Sequence, residues 1–344
     1  MNPYALSMII SSLALGTITT ISSFHWILAW IGLEINTLAI IPMMTKNPHP
    51  RSIEAATKYF LTQAAASALI LFSSTLNAWI LGEWALNNLM NPMSMIFLSI
   101  AISIKLGLAP FHFWLPDVLQ GLPLQTGWIL STWQKLAPMA IILQLSQSIN
   151  LTLIMFIGLL SILVGGWGGI NQNQTRKILA FSSIAHLGWM IIIMKLSPSL
   201  SILNFSLYII MSSTLFYTFI IVNSMNISHL ATTWTKVPAL TALSLLSLLS
   251  LSGLPPLTGF IPKWLIAQEM IKQDLILISF TILMLTLLSL FFYLRLTYTI
   301  SLTMAPNSSL SLSLWFFKKK NNLTFLIILT LCLLPISPHL LCLI

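Results

Sequence analysis

The chain consists of long apolar runs separated by short polar stretches. Eleven runs come close to or exceed 20 residues, about the length a helix needs to cross roughly 30 Å of hydrocarbon. This pattern predicts an all-α, polytopic membrane protein of about eleven transmembrane helices, with residues 1–344 forming a single membrane domain. The runs cover residues 2–22, 25–44, 52–81, 93–116, 123–146, 149–170, 174–195, 199–224, 239–271, 275–303 and 322–342.

Composition excludes a soluble protein. Hydrophobic residues make up 57% of the chain and charged residues only 6%, whereas a soluble domain carries about 25% charged residues. The net charge is +9, but the basic residues are scattered between apolar runs. They form no basic patch interleaved with aromatic side chains, so no nucleic-acid partner is expected.

The basic residues favour one side of the membrane. Loops on the side of the N-terminus receive Lys46, Arg51, Arg176, Lys177, Lys236 and Lys318–Lys320. Loops on the other side receive Glu83, Lys195, Lys272 and Asp274. Because basic loops stay inside, the N-terminus is predicted inside and the number of spans is predicted to be odd. The first run lacks a basic region and a cleavage signal, so it is expected to be retained as the first span.

A motif occurs twice within the apolar runs. It reads G-L-x-P, with a second proline six positions after the first. The first copy contains Gly107, Pro110 and Pro116. The second copy, 146 positions later, contains Gly253, Pro256 and Pro262. Such prolines break a helix, and lipid tolerates the break only where protein or a wet cavity surrounds it. We therefore predict two inverted five-helix repeats, residues 1–146 and 149–303, each with a broken fourth helix, and an extra C-terminal helix at 322–342. The alternative is a pair of unrelated proline kinks.

The charged residues that matter most are those far from either membrane surface, and we single out four of them: Glu34, Lys105, Lys135 and Lys263. The first three lie roughly 15 to 18 Å from the start of their helices at about 1.5 Å per residue, near the bilayer midplane. Each would cost about 2.5 to 3.5 kcal/mol at the helix centre. All four facing lipid would cost on the order of 10 kcal/mol, as much as the stability of a typical domain. They are therefore expected to face a polar interior.

Their chemistry predicts a proton-handling path. A lysine removed from water gives up its proton more readily, and a nearby carboxylate favours the charged form. Glu34 is the only acidic residue deep in a predicted span, which makes it the natural partner of Lys105. His112 and His186 are candidates for passing protons between lysines, although a packing role explains each of them equally well.

Other signals point to structure. Glu54 and Lys58 predict an ion pair at the start of the third helix, and Asp117 is expected to cap or end the broken helix. The glycines of residues 164–170 predict close helix packing. No cysteine or histidine cluster suits iron–sulfur, haem or zinc, and no loop is large enough for a nicotinamide or flavin site. The chain is therefore expected to bind no cofactor and no metal.

Four segments carry a resemblance to a known family. They are AWIGLEINTLAIIP (29–42), SIKLGLAPFHFWLPD (103–117), STWQKLAP (131–138) and SGLPPLTGFIPKW (252–264). The chain resembles the antiporter-like membrane subunits of NADH:ubiquinone oxidoreductase, complex I, along nearly its whole length. The resemblance implies the mitochondrial inner membrane, with the N-terminus on the matrix side.

The resemblance also implies residue roles and partners. Glu34 and Lys105 would form a charge pair, Lys135 would be the central relay lysine, and Lys263 would act at the second broken helix. Other membrane-arm and accessory subunits and phospholipids would be partners, and partner subunits would hold flavin, iron–sulfur clusters, NADH and ubiquinone. Two alternatives stay open: a subunit of a multisubunit cation/proton antiporter, and a scaffold of the membrane arm that does not pump.

Overall fold

The computed structural model describes residues 2–86, 91–231, 233, 238–302 and 324–332. Within these ranges the chain is helical, with connecting loops and two isolated β-bridges. Lys236, Lys318–Lys320 and most of the last predicted run lie outside the described residues. The chain divides into two compact units, Met1–Ser161 and Ile162–Ile344, and the division falls within one long helix.

The first unit begins with three long helices and continues with interrupted ones. The helices are α1 (Pro3–Ser22), α2 (Trp26–Met44), α3 (Pro50–Leu81), α4 (Pro92–Leu106), α5 (Trp114–Gly121), α6 (Leu124–Thr132) and α7 (Leu136–Gln144). A 3₁₀ turn, Trp133–Lys135, joins α6 to α7. Proline occupies the first helical position of α1, α3 and α4, where its missing N–H needs no partner.

The second unit follows the same order. Helix α8 (Leu151–Ile170) crosses the division between the units, and the chain continues as α9 (Thr175–Met194), α10 (Pro198–Val222), α11 (Ile227–Ala231), α12 (Pro238–Ser252), α13 (Phe260–Lys272), α14 (Ile276–Leu302) and α15 (Thr324–Cys332). Many serine and threonine hydroxyls donate to carbonyls three or four residues earlier in their own helix. These bonds satisfy the hydroxyls within an apolar environment.

Seven of the described helices are long and apolar enough to cross a membrane: α1, α2, α3, α8, α9, α10 and α14. The fourth, fifth and ninth predicted runs are each divided into shorter helices. The all-α polytopic class is therefore confirmed, but the number of eleven spans is not. The repeat boundaries 1–146 and 149–303 stay a prediction.

In each unit, a corresponding pair of backbone hydrogen bonds joins two loops of the first three helices. In the first unit, Trp26 N donates to Trp84 O and Leu86 N to Phe24 O. In the second unit, Thr175 N donates to Met225 O and Ile227 N to Asn173 O. In both, the loop after the first helix pairs with the loop after the third, so the internal plan of the two units corresponds.

The glycines of α8 pack against two neighbouring helices. A methyl group at Gly165 or Gly168 would collide with Ala185 or Phe181 of α9, and one at Gly166 or Gly169 would collide with Leu288 or Phe292 of α14. The glycines three apart thus face the same neighbour. The predicted close packing surface is confirmed, and it serves two helices at once.

Candidate functional site

The first broken helix places Lys105 at the end of α4. Gly107 has φ 76°, and Leu108 N donates to Ser103 O, which closes the helix in a Schellman motif. Lys105 is 6% exposed, and its Nζ has no hydrogen-bond partner among the described residues. Its ammonium group lies in the last turn, where the helix dipole favours a positive charge. Pro116 lies in the first turn of α5, so it follows the break.

Glu34 lies near the middle of α2 and is half-buried. The Thr37 hydroxyl lies 2.9 Å from Glu34 O and 3.1 Å from Glu34 Oε2. The ion pairs within 4.0 Å in the described part of the chain do not include Glu34 with Lys105. The two predicted partners are therefore not in direct contact, and their role as a charge pair stays a prediction.

Lys135 lies at a helix interruption that the apolar pattern did not predict. The run 123–146 was expected to form one continuous helix, but α6 ends at Thr132 and α7 begins at Leu136. Pro138 explains the interruption, because it has no N–H to donate to the carbonyl of Gln134. Lys135 is 3% exposed and ends the 3₁₀ turn, so a third helix break carries a buried lysine.

One cavity joins these elements. Its lining includes Lys105 and Lys135 together with Asn36, Gln63 and Gln134, and Leu33 and Thr37 flank Glu34 on its wall. The cavity has a volume of about 20 Å³. A cavity needs about 10 to 15 Å³ to hold one water. The cavity thus has space for about one water between the two lysines.

The cavity wall presents polar atoms that lack partners. Among the described residues, these are Lys105 Nζ, Gln63 Nε2 and both side-chain polar atoms of Asn36. Gln134 is held in place, because its Nε2 donates to Asn36 O at 2.9 Å. Buried polar groups without protein partners are usually satisfied by water. The amides Asn36, Gln63 and Gln134 were missed in the sequence, although an amide within an apolar helix run is the signal that could have found them.

The second broken helix binds Lys263 differently. Gly253 has φ 81°, and Leu254 N donates to Leu249 O, so α12 ends in the same motif as α4. Lys263, the fourth residue of α13, donates from Nζ to Ser252 O at 2.6 Å. The ammonium group therefore caps the C-terminal end of α12. Pro262 lies in the first turn of α13, after the break.

The two candidate histidines are both buried. His112 follows Pro110 in the first break and packs against Phe113 at a centroid distance of 4.2 Å. It is not among the residues that line the lysine cavity. His186 lies in α9 of the second unit, and its ring centroid is 5.7 Å from that of Tyr208.

A polar cleft lies one turn along α3 and α5 from the cavity. Lys58 Nζ is 2.8 Å from Glu54 Oε1 and 3.1 Å from Asp117 Oδ2. The predicted Glu54–Lys58 pair is confirmed. The expectation for Asp117 as a cap or stop was wrong, because it lies in the first turn of α5 and tethers that helix to α3. Tyr59 and Trp114, whose rings are in contact, line the cavity but not this cleft.

One further cation was overlooked in the sequence. Arg295 of α14 donates from Nη1 to Ile170 O at 2.6 Å and from Nη2 to Asn173 Oδ1 at 3.2 Å. The guanidinium group thus satisfies the carbonyl end of α8. A single arginine within an apolar run was the available signal, and its role is structural.

Comparison with known proteins gives the family. Residues 23–289 match the family described as NADH:quinone oxidoreductase/Mrp antiporter, TM, and residues 290–341 match NADH dehydrogenase subunit 2 C-terminus. NADH-ubiquinone oxidoreductase chain 2 of Aquarana catesbeiana is 59% identical, covering 99% of both chains, and that of Xenopus laevis is 59% identical, covering 98% of this chain and 99% of its own. The chain belongs to the NADH-ubiquinone oxidoreductase chain 2 family. The resemblance seen in its motifs is thereby confirmed.

Solved structures share the fold of this chain 2 family member. A chain of respiratory complex I from Thermus thermophilus matches with a TM-score of 0.83 and 25% identity, covering 99% of this chain and 80% of its own. A chain of the Mrp complex from Dietzia sp. DQ12-45-1b matches with a TM-score of 0.77 and 16% identity, over 87% of this chain and 61% of its own. The second likeness concerns the fold alone.

The site thus combines proton-binding groups with room for water. Two buried lysines and three amides line the cavity of the first unit, together with Thr37, whose hydroxyl lies 3.1 Å from Glu34 Oε2. The described residues contain no group of three or more His, Cys, Asp or Glu that could hold a metal ion. Proton transfer is the chemistry that this set of side chains supports.

Proposed function

We propose that the chain is an antiporter-like, proton-translocating subunit of NADH:ubiquinone oxidoreductase in the mitochondrial inner membrane, with its N-terminus on the matrix side. Electron transfer takes place in partner subunits, which hold flavin, iron–sulfur clusters, NADH and ubiquinone. This chain contributes protonation changes along Glu34, Lys105, Lys135 and Lys263. Other membrane-arm and accessory subunits and phospholipids surround it.

The cavity between Lys105 and Lys135 is the observation that carries this proposal. A buried ammonium group without a hydrogen-bond partner is costly, and a proton that can leave removes the cost. A water in the cavity can bridge the amides and the lysines, which gives the proton a path. A scaffold would gain nothing from these groups, because apolar side chains of similar volume would stabilise it better.

Glu34 supplies the control of the first lysine. A carboxylate near an ammonium group favours the charged form, and movement of α2 relative to α4 changes that attraction with distance. The absence of a direct ion pair leaves the proton on Lys105 free to move into the cavity. A conformational change that reaches α2 can therefore drive protons from Lys105 towards Lys135.

The Lys135→Met variant tests the proposal. We expect the assembled complex to oxidise NADH with fewer protons moved per NADH, or to lose coupled turnover, when assayed after reconstitution into liposomes. Lys46→Met is the matched control, because Lys46 is exposed in the loop before α3. Full pumping by an assembled Lys135→Met complex would favour the scaffold. Co-purification with partners that lack flavin and iron–sulfur centres would favour the cation/proton antiporter.

A further inference from the structure

At two described positions the second unit has an uncharged residue where the first unit has a charged one. By the shared loop pairing, Ser183 stands at the position of Glu34 in its unit, and by the repeated motif Leu251 stands at the position of Lys105. Lys263 is half-buried and donates to the end of α12. Proton transfer through the second unit therefore needs other groups.

Buried hydroxyl groups lie beside His186. Tyr208 of α10 is 1% exposed, its ring neighbours the His186 ring, and its hydroxyl hydrogen-bonds to the side chains of Ser183 and Ser212. Ser183 donates its own proton to Ala180 O at 2.7 Å. The Ser183 oxygen is therefore an acceptor for the Tyr208 O–H. About one turn of α9 and one turn of α10 thus bring these polar groups together.

Tyr293 of α14 extends this set. It is 2% exposed and faces Ser182, the neighbour of Ser183. Its hydroxyl has no hydrogen-bond partner in the described part of the chain. Ser182 donates its proton to Leu179 O. A buried tyrosine hydroxyl in an apolar helix normally has a partner, so this one is available to a water or a moving proton.

The set also reaches the second broken helix. Met211, next to Ser212 on α10, approaches Gly259 in the loop between α12 and α13. The same loop begins at Gly253, against which the Lys263 side chain lies. Met211 therefore lies between the hydroxyl groups of α10 and the loop that holds the lysine.

We propose that Tyr208 is a proton carrier of the second unit and that it links His186 to the hydroxyl groups of Ser183, Ser212 and Tyr293. This inference rests on the proposed function. In each step the Tyr208 oxygen accepts a proton on a lone pair and releases its own proton to the next acceptor. The residue begins and ends as a neutral phenol, and no electrons are transferred.

The test is Tyr208→Phe in the assembled, reconstituted complex. We expect the complex to assemble, the rate of proton-coupled NADH oxidation to fall roughly tenfold or more, because a positioned proton-transfer group contributes about 10²- to 10⁴-fold, and the solvent deuterium isotope effect on that rate to rise. Tyr298→Phe is the matched control, since Tyr298 is 56% exposed on α14. We expect Tyr298→Phe to leave both measurements unchanged.

A rate and isotope effect equal to those of Tyr298→Phe would overturn the inference. If Tyr208→Phe prevents assembly, Ser183→Ala and Ser212→Ala remove acceptors without adding volume, and an unchanged isotope effect in both would overturn it equally. Lys135→Met, measured in parallel, separates the two proposals. If Lys135→Met loses pumping while Tyr208→Phe behaves normally, only the role of Tyr208 is refuted. If Lys135→Met pumps normally, the proposed function is refuted.

Discussion

Three helices end at a glycine, and replacing each glycine by alanine tests two effects. All three substitutions strain the backbone, but only one of them should also displace a lysine side chain. Gly82, Gly107 and Gly253 all have positive φ, at 73°, 76° and 81°. An added methyl group would meet nothing within 4 Å at Gly82 and would approach Leu115 Cδ1 to 2.9 Å at Gly107. At Gly253 it would lie 2.7 to 2.9 Å from Cδ, Cε and Nζ of Lys263.

These contacts give an expected order of destabilisation. Gly82→Ala should cost about 1 to 2 kcal/mol, the cost of the left-handed conformation for a residue with a Cβ. Gly253→Ala should add the loss of the hydrogen bond from Lys263 to Ser252, about 1.5 to 3 kcal/mol for a charged group. Gly107→Ala should lie between them, because the end of a leucine side chain can move.

The assay compares the heat resistance of the purified complex and its proton-coupled NADH oxidation across the three variants. We expect Gly253→Ala alone to lose coupled turnover at a temperature at which the other two complexes remain intact. In a Lys263→Ala background the colliding atoms are absent, so Gly253→Ala should then cost only as much as Gly82→Ala. If Gly82→Ala and Gly253→Ala destabilise the otherwise native complex equally, the hydrogen bond from Lys263 to Ser252 contributes nothing, and the reasoning is refuted.

Two further predictions concern the charge pair and the orientation. In a Glu34→Gln, Lys105→Met double-mutant cycle, the double variant should harm assembly less than the sum of the singles, because it leaves no unpaired buried charge, yet it should not pump; strictly additive assembly defects would remove the pair from the mechanism. In intact mitoplasts, an amine-reactive probe that cannot cross the membrane should label Lys272 but not Lys46, and both after permeabilisation. Labelling of Lys46 from the intermembrane side would overturn the orientation and the odd number of spans.

The sequence by itself determined the class, the family and the charged residues. Repeated apolar runs of membrane-spanning length indicate a membrane protein. These spans are helical because backbone groups in lipid must form their hydrogen bonds within the segment. The repeated G-L-x-P motif located both broken helices, because glycine at a helix end and proline beyond it have few other uses. Glu34, Lys105, Lys135 and Lys263 stood out because a charge within an apolar run is costly to keep.

The tertiary structure decided how these groups are paired. Glu34 was predicted as the partner of Lys105 because it is the only acidic residue deep in a predicted span, but the sequence does not give the direction in which two side chains leave different helices. Asp117 was assigned to a helix end, whereas packing of α5 on α3 brings it to Lys58. Asn36, Gln63 and Gln134 became part of the site only when three helices met around one cavity. Contacts between distant segments depend on packing, which a pattern along one helix does not encode.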